Sequence, residues 1–216
     1  MGGITGGGGG WRFFNLWEEG PGAPAFVWAH PDHVQRAQQP LSGWWGHAQP
    51  FAFVPGYVPA PGMGRFLCGS QSVLAMAAMG CGLDTFERSL SQGGMAALRQ
   101  KSLALTDAFI ELVQTQCAGH GLVLETPLLH AQRGSQVSFS RHEGAYAVVQ
   151  ALIERDVIGD FRAGEPSCGE PDIMRFGFTP LYLGFEDVWR AVAALKDVLD
   201  SGSWRDPRFA VANKVT

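Results

Sequence analysis

Apolar residues recur with helical spacing in the second half of the chain. Over residues 93–121 they fall mainly three, four or seven positions apart, which predicts a long amphipathic helix. The same spacing predicts helices near 144–155 and near 185–199, and Trp189 is assigned to the buried side of the latter. Upstream, SQSVLAMAAMG (70–80) is predicted to form a short buried helix that ends at glycines.

Alternation of apolar and polar residues predicts strands between these helices. In residues 135–140, Val137 and Phe139 alternate with serines, and in residues 172–178 the apolar side chains alternate with Arg175. Two more strands are predicted at 122–126 and 157–162. Helices that alternate with antiparallel-type strands indicate an α+β arrangement for the second half of the chain.

The first 62 residues follow neither period. Residues 1–10 are a glycine tract, and residues 11–62 are rich in Trp, Pro and Gly, which interrupt every apolar run. The tract contains no phosphate-loop signal, because no strand precedes it and no GK[ST] ends it. Ordered loops joined by short elements are therefore expected from residue 11 to residue 62.

Composition and charge exclude several classes of protein. The chain is 46% hydrophobic and 17% charged with a net charge of -4, which is atypical of disordered chains and of strongly basic nucleic-acid binders. No run approaches a membrane span, and the N-terminus lacks the pattern of a signal peptide, so neither membrane nor nucleic acid is an expected partner. The expected location is cytoplasmic.

Metal-binding and disulfide patterns are also missing from the sequence. Four cysteines are widely spaced without a CxxC pair, which is typical of free thiols in a reducing compartment. His30 and His33 form an HxxH pair without neighbouring carboxylate or cysteine ligands, so no metal site is predicted.

Seven segments, taken together and in order, resemble kynureninase, a pyridoxal-phosphate enzyme of the aminotransferase-like superfamily. They are GPGAPAFVWAHPDH (20–33), QPLSGWWGH (39–47), PAPGMGRFLCGS (59–70), ALRQKSLALTD (97–107), HAQRGSQVSF (130–139), VIGDFRA (157–163) and MRFGFTPLY (174–182). The resemblance implies the C-terminal part of a fold type I enzyme. It consists of a divergent N-terminus (1–19), the end of the large cofactor domain (20–92) and a small α+β domain with an antiparallel sheet (93–216).

The position of the family's cofactor lysine is changed in this chain. The family places a Tyr-Lys pair shortly before the GPG motif, and the matching segment here is WRFFN, with Arg12 at the lysine position. A guanidinium stays protonated and cannot form the Schiff base with the cofactor. The lysines of the chain are Lys101, Lys196 and Lys214, so the first hundred residues contain none. No catalytic residue is therefore assigned, and covalent attachment of pyridoxal 5'-phosphate is not expected.

The resemblance assigns Trp44 and Ser70 to the phosphate of the cofactor, which they reach across a dimer. An indole N–H and a hydroxyl are neutral donors suited to phosphate oxygens. The alternative is structural, with Trp44 packed in its loop and Ser70 capping a helix that begins at residue 71.

For the substrate, the resemblance assigns Arg175 to the α-carboxylate, a task that suits a planar guanidinium. His47 is a candidate contact of the substrate's aromatic ring or carbonyl region, and a loop histidine satisfied by backbone groups is the alternative. Arg133, in RGSQ, is interpreted as a structural residue rather than one facing the cleft.

Two functional classes follow from these observations. One is a kynureninase-family hydrolase of tryptophan catabolism and NAD biosynthesis, a homodimer that cleaves L-kynurenine to anthranilate and L-alanine, with this chain inactive alone. The other is a non-catalytic remnant or binding module that keeps the fold. A relative of cysteine desulfurases is less favoured, because its only candidate nucleophile, Cys168, lies between Glu165 and Glu170, which discourage the thiolate.

Overall fold

The structure, a computed structural model, describes residues 12–15 and 24–211 and divides into two compact units between Phe86 and Glu87. The domain boundaries expected from the sequence remain a prediction.

The second unit is built on a four-stranded antiparallel sheet. Its strands are β3 (Val123–Leu124), β4 (Gln136–Ser140), β5 (Asp160–Arg162) and β6 (Ile173–Gly177), in the spatial order β3-β4-β6-β5. All four lie within the strands predicted from alternation. Since β6 separates β4 from β5, the order of strands in the sheet differs from their order in the chain.

Three helices cover one face of this sheet: α3 (Gly94–Gln116), α4 (Ala145–Ile153) and α5 (Phe185–Ser201). Alternate residues of β4 and β6 are buried against them, including Val137, Phe139 and Met174. Phe109 of α3 lies at the centre of the core, with ring-centroid distances of 5.1 Å to Phe176 and 4.9 Å to Phe178. The α+β architecture predicted from periodicity is confirmed.

One assignment on α5 is wrong. Trp189 is 57% exposed, whereas Val188, Val192 and Leu195 are buried. These three residues define the buried stripe at helical spacing, and Trp189 lies about 100° around the helix from Val188. The tryptophan therefore lies beside the stripe rather than in it.

The first unit has little regular structure apart from most of one long helix, which ends beyond Phe86. Strands β1 (Arg12–Asn15) and β2 (Ala25–Trp28) pair antiparallel, and a single turn, α1 (Pro31–Val34), follows. Two short 3-10 turns at Trp44–Gly46 and Gly62–Phe66 lie in the loop region expected from the Pro and Gly content.

Helix α2 (Val73–Leu90) is longer than the sequence pattern predicts. The expected end at the glycines is wrong, because the helix continues past Gly80 and Gly82. Each glycine costs a helix only about 1 kcal/mol relative to alanine and does not by itself end it. None of the described helices combines the length and apolar character that crossing a membrane requires.

Candidate functional site

The predicted site residues are divided between the two units. Trp44, His47 and Ser70 belong to the first unit, and Arg175 belongs to the second. A cavity of about 310 Å³ in the second unit, lined by residues such as Phe109, Arg155 and Asp187, includes none of them. The predicted site residues therefore form two groups, one in each unit.

Two glycines bring the Trp44 loop directly against the segment that leads to Ser70. A Cβ atom at Gly43 would lie 1.7 Å from the carbonyl oxygen of Cys68, and one at Gly46 would lie 2.5 Å from that of Leu67. Any side chain at either position would separate the two segments. This explains why glycines flank the two tryptophans of SGWWGH.

Backbone hydrogen bonds lock the same loop from its other side. The amide of Ala60 donates to Gly46 O at 2.8 Å, and the hydroxyl of Tyr57 donates to that oxygen at 3.0 Å. The amide of Ala48 donates to Val58 O at 2.7 Å. Residues 46–48 and 58–60 therefore form a short clasp that carries Trp44 and His47.

Arg65 is a buried residue of this region that sequence reasoning missed. Its guanidinium donates to the carbonyl oxygens of Gln35, Ala37 and Ala60 at 3.0–3.3 Å, and to Gln35 Oε1 at 3.0 Å. Buried arginine is rare unless its donors are satisfied, and these backbone acceptors satisfy them. Only its isolated position, within the apolar stretch GMGRFLC, marks it in the sequence.

Trp44 lies beside the segment that leads to Ser70. The indole Nε1 of Trp44 is 3.8 Å from the place of a Cβ atom on Gly69, the neighbour of Ser70. Trp44 is half-exposed, and its ring contacts Trp45 at a centroid distance of 4.6 Å. The alternative in which Ser70 caps the next helix is wrong, because α2 begins at Val73.

His47 has one satisfied and one unsatisfied ring nitrogen. Nδ1 accepts from the amide of Gln49 at 2.8 Å, and the ring packs on Tyr57 at a centroid distance of 5.7 Å. Nε2 is buried and has no hydrogen-bond partner within the described part of the chain. The backbone contact matches the structural alternative for His47, and its role at a substrate stays a prediction.

Arg175 lies on the polar face of the sheet, as its alternation with Met174 and Phe176 predicts. Its neighbours across the sheet are Ser138 on β4 and Asp160 on β5. The side chain is 26% exposed, and Nη2 donates to Asp160 Oδ2. Nε is buried without a partner among the described residues.

Asp160 and Arg162 are charged neighbours of Arg175 that the sequence analysis did not assign. They flank Phe161, and alternation along β5 places both of them on the face opposite that residue. This alternation was visible in GDFR, but the pairing of β5 with β6 was not. The register between these two consecutive strands cannot be obtained from either strand alone, because a long loop rather than a tight turn joins them.

Arg133 is structural, as predicted, and its side chain is only 1% exposed. Nη2 donates to Asp107 on α3, whose other carboxylate oxygen lies 2.8 Å from Nε2 of His130. Burial raises the pKa of Asp107, but the hydrogen bonds from Arg133 and His130 outweigh it and leave that pKa below its usual value.

The residues present fit the phosphate of pyridoxal phosphate but not its covalent attachment. The Trp44 indole beside Gly69 and the Ser70 hydroxyl are neutral donors of the kind that phosphate oxygens accept from. Arg12 lies in β1 opposite Trp28, at the position where the resemblance expects a lysine. The two described lysines are both engaged elsewhere: Lys101 donates to the carbonyl of Pro180, and Lys196 pairs with Asp200.

Within the described ranges, no cluster of three or more His, Cys, Asp or Glu residues could hold a metal ion.

Comparison with known proteins places these residues in one family. The kynureninase C-terminal domain family matches residues 98–195. The chain is 55% identical over 197 residues to the kynureninases of Burkholderia mallei and Burkholderia pseudomallei, and 53% identical to that of Pseudomonas fluorescens. Each match covers 91% of this chain and 44% of the relative, so the chain spans less than half the length of these relatives.

Solved structures show the fold. An apo cysteine desulfurase from Thermococcus onnurineus NA1 matches with a TM-score of 0.65 at 16% identity over 82% of this chain and 43% of its own. A lysine-to-alanine variant of C-DES, with glycine covalently linked to its PLP cofactor, matches with a TM-score of 0.63 at 20% identity over the same shares. The prediction of a fold type I architecture, in its C-terminal part, is confirmed.

Proposed function

Because the chain belongs to the kynureninase family, we propose that it is part of a pyridoxal-phosphate hydrolase that cleaves L-kynurenine to anthranilate and L-alanine. In that enzyme, this chain supplies residues that bind the carboxylate of the substrate and the phosphate of the cofactor. The observation that carries the proposal is Arg175, a partly exposed guanidinium on the polar face of the sheet, in a chain 55% identical to kynureninases. A planar guanidinium can hold a carboxylate through two parallel N–H donors.

In this proposal each unit has its own task. Arg175 binds the α-carboxylate of kynurenine and so fixes which bond faces the reacting groups. Trp44 and Ser70 donate to the phosphate of the cofactor, which supplies an electron sink for the carbon–carbon cleavage when it is bound. His47, whose Nε2 has no hydrogen-bond partner among the described residues, is proposed to contact the aromatic or carbonyl region of the substrate.

The chain alone is proposed to be inactive. Proton transfer at the substrate α-carbon needs a base of suitable pKa, and Arg12 remains protonated at every physiological pH. The working form is proposed to be a cytoplasmic homodimer that contains the remainder of the family's fold.

A chimera tests the proposed activity. Its N-terminal part comes from the Pseudomonas fluorescens kynureninase up to and including its lysine segment, and its C-terminal part is this chain from Gly20 onward. We expect the chimera to form anthranilate from L-kynurenine, measured by fluorescence. Arg175→Lys should lower kcat/KM at least tenfold, because one ammonium cannot replace the bidentate pairing. A folded, cofactor-loaded chimera that forms no anthranilate would contradict the proposal.

Arg12 favours a second candidate, a non-catalytic member that keeps the fold without the chemistry. A longer chimera, joined before Trp11, retains Arg12 and has no lysine at that position. We expect this chimera to be inactive and its Arg12→Lys variant to gain anthranilate formation. If Arg12→Lys restores nothing while the shorter chimera is active, the segment 11–19 itself is incompatible with activity and the non-catalytic candidate is favoured.

A further inference from the structure

Asp160 is shared between two arginines on the polar face of the sheet. Its Oδ2 accepts from Nη2 of Arg175 and lies 3.3 Å from Nη2 of Arg162, while its Oδ1 accepts from Nη1 of Arg162 at 3.4 Å. Asp160 and Arg162 project from the same face of the edge strand β5, and Arg175 projects from the adjacent β6. The cluster therefore holds two positive charges and one negative charge.

The carboxylate of Asp160 occupies a donor that a ligand carboxylate would also use. A bidentate pair on Arg175 needs two N–H groups on one edge of the guanidinium. Nη2 is already engaged by Asp160, and Nε on the same edge is buried without a partner. A carboxylate that binds this edge must therefore displace Asp160 from Nη2 or share that nitrogen with it.

Arg162 gives Asp160 a second cationic partner. An aspartate with only one partner would lose its ion pair when a ligand took that partner, and this loss would oppose binding. Asp160 instead remains within 3.4 Å of the Arg162 guanidinium, so its charge stays compensated. The side chain of Arg162 is 61% exposed and can follow the carboxylate.

Resting on the function proposed above, we propose that Asp160 and Arg162 are positioning residues that make carboxylate binding at Arg175 an exchange of ion pairs. Asp160 holds the empty guanidinium in place and moves to Arg162 when a carboxylate arrives. Arg162 therefore acts through Asp160 and not directly on the ligand.

The exchange has a signature that simple charge effects lack. Asp160→Asn removes the competitor and should tighten carboxylate binding about two- to fivefold, the range expected for one partly exposed ion pair. Arg162→Gln should weaken binding by a similar factor, because Asp160 then has no partner other than Arg175. In the Asp160→Asn background, Arg162→Gln should have no effect, whereas independent charge effects would simply add.

Side-chain NMR of the full ¹⁵N-labelled chain measures this directly. The Nε–H signal of Arg175, assigned from its loss in Arg175→Lys, is followed during titration with acetate and with L-alanine. Acetamide and L-alaninamide are the matched neutral probes. Glu186→Gln is the charge control, since it removes a carboxylate paired at 3.9 Å with Arg190 on α5, away from the cluster. Far-UV circular dichroism checks folding, and Asp160→Ser is a second variant if Asp160→Asn unfolds.

The expected result is a saturable shift of the Arg175 signal with both carboxylates and with neither amide, together with the non-additive cycle. Additive effects of the two substitutions, or a titration that leaves Arg175 unmoved, would overturn the exchange. The readout requires no turnover, so an inactive chimera with a non-additive cycle contradicts only the proposed function. An active chimera with an additive cycle contradicts only the exchange.

Discussion

At the scale of single residues, the buried arginines Arg65 and Arg133 differ in how fully their hydrogen-bond donors are satisfied. Arg65 is buried and has acceptors for its donors, whereas Arg133 is buried with unpartnered Nε and Nη1 among the described residues. The charge of Arg133 is compensated mainly by Asp107. A buried cation with one carboxylate partner depends strongly on that partner.

Asp107→Asn is expected to lower the free energy of unfolding near neutral pH by about 1–2 kcal/mol, because it leaves the Arg133 charge facing a neutral amide. The folded-state pKa of Asp107 is below its usual value, so its contribution is fully present above about pH 4 and is lost as the pH falls through the folded pKa. Denaturant unfolding of the chain between neutral and acidic pH measures both effects.

Glu111→Gln is the matched control for this measurement, since Glu111 is an exposed acid on the same helix. It should leave the stability and its pH dependence nearly unchanged. A loss of stability in Asp107→Asn that persists unchanged at the lowest pH would contradict the assignment to the Asp107 charge.

At the scale of elements, the sequence predicted those whose hydrophobic period is unbroken. Helices α3, α4 and α5 and strands β4 and β6 follow from spacing alone, and so does the outward position of Arg175. The proximity of Asp160 to Arg175 does not follow, because the loop of residues 163–172 between β5 and β6 is too long for a turn type to fix their register. The clasp around Trp44 depends on close backbone contacts at Gly43 and Gly46, which no periodicity reports.

A substitution at Gly80 tests whether this glycine weakens helix α2 without ending it. Gly80→Ala is expected to raise the free energy of unfolding of this element by about 0.5–1 kcal/mol, because no atom lies within 4 Å of the new Cβ and the unfolded chain loses freedom. Denaturant unfolding followed by far-UV circular dichroism measures the change.

Gly62→Ala is its counterpart, since Gly62 also has open space around the Cβ position but has a φ of +62°. This substitution should destabilise, because an L-residue is strained in the left-handed region. If both alanines shifted stability in the same direction, backbone conformation would not be the deciding difference.

At the scale of the whole molecule, the two units differ in what they bury. The large fully buried side chains all belong to the second unit, whereas many apolar side chains of the first unit are exposed. On α2 alone, Leu74 is 85% exposed, and Val73 and Leu83 are also exposed. Val73 and Leu74 adjoin each other, and adjoining exposed apolar side chains can mark a surface that another protein surface covers.

The chain is therefore expected to self-associate with increasing concentration, and Leu74→Lys should weaken this association. Sedimentation velocity over a concentration series measures it. Ile158→Lys is the matched control, because Ile158 is equally exposed but lies in the second unit. A monomer at every concentration, or equal effects of the two substitutions, would contradict the assignment to the first unit.

The position of β6 between β4 and β5 also constrains when the sheet can form during synthesis. Both β4 and β5 pair with β6, and neither pairs with the other, so both emerge from the ribosome before β6 exists. Strand β3 can pair with one edge of β4 at once, but the other edge of β4 and strand β5 stay unpaired until Gly177 has been added, when α3 and α4 are the only core helices already made. Closure of the β4–β6 pair across α4 is consequently the slow, non-local step of folding in this unit.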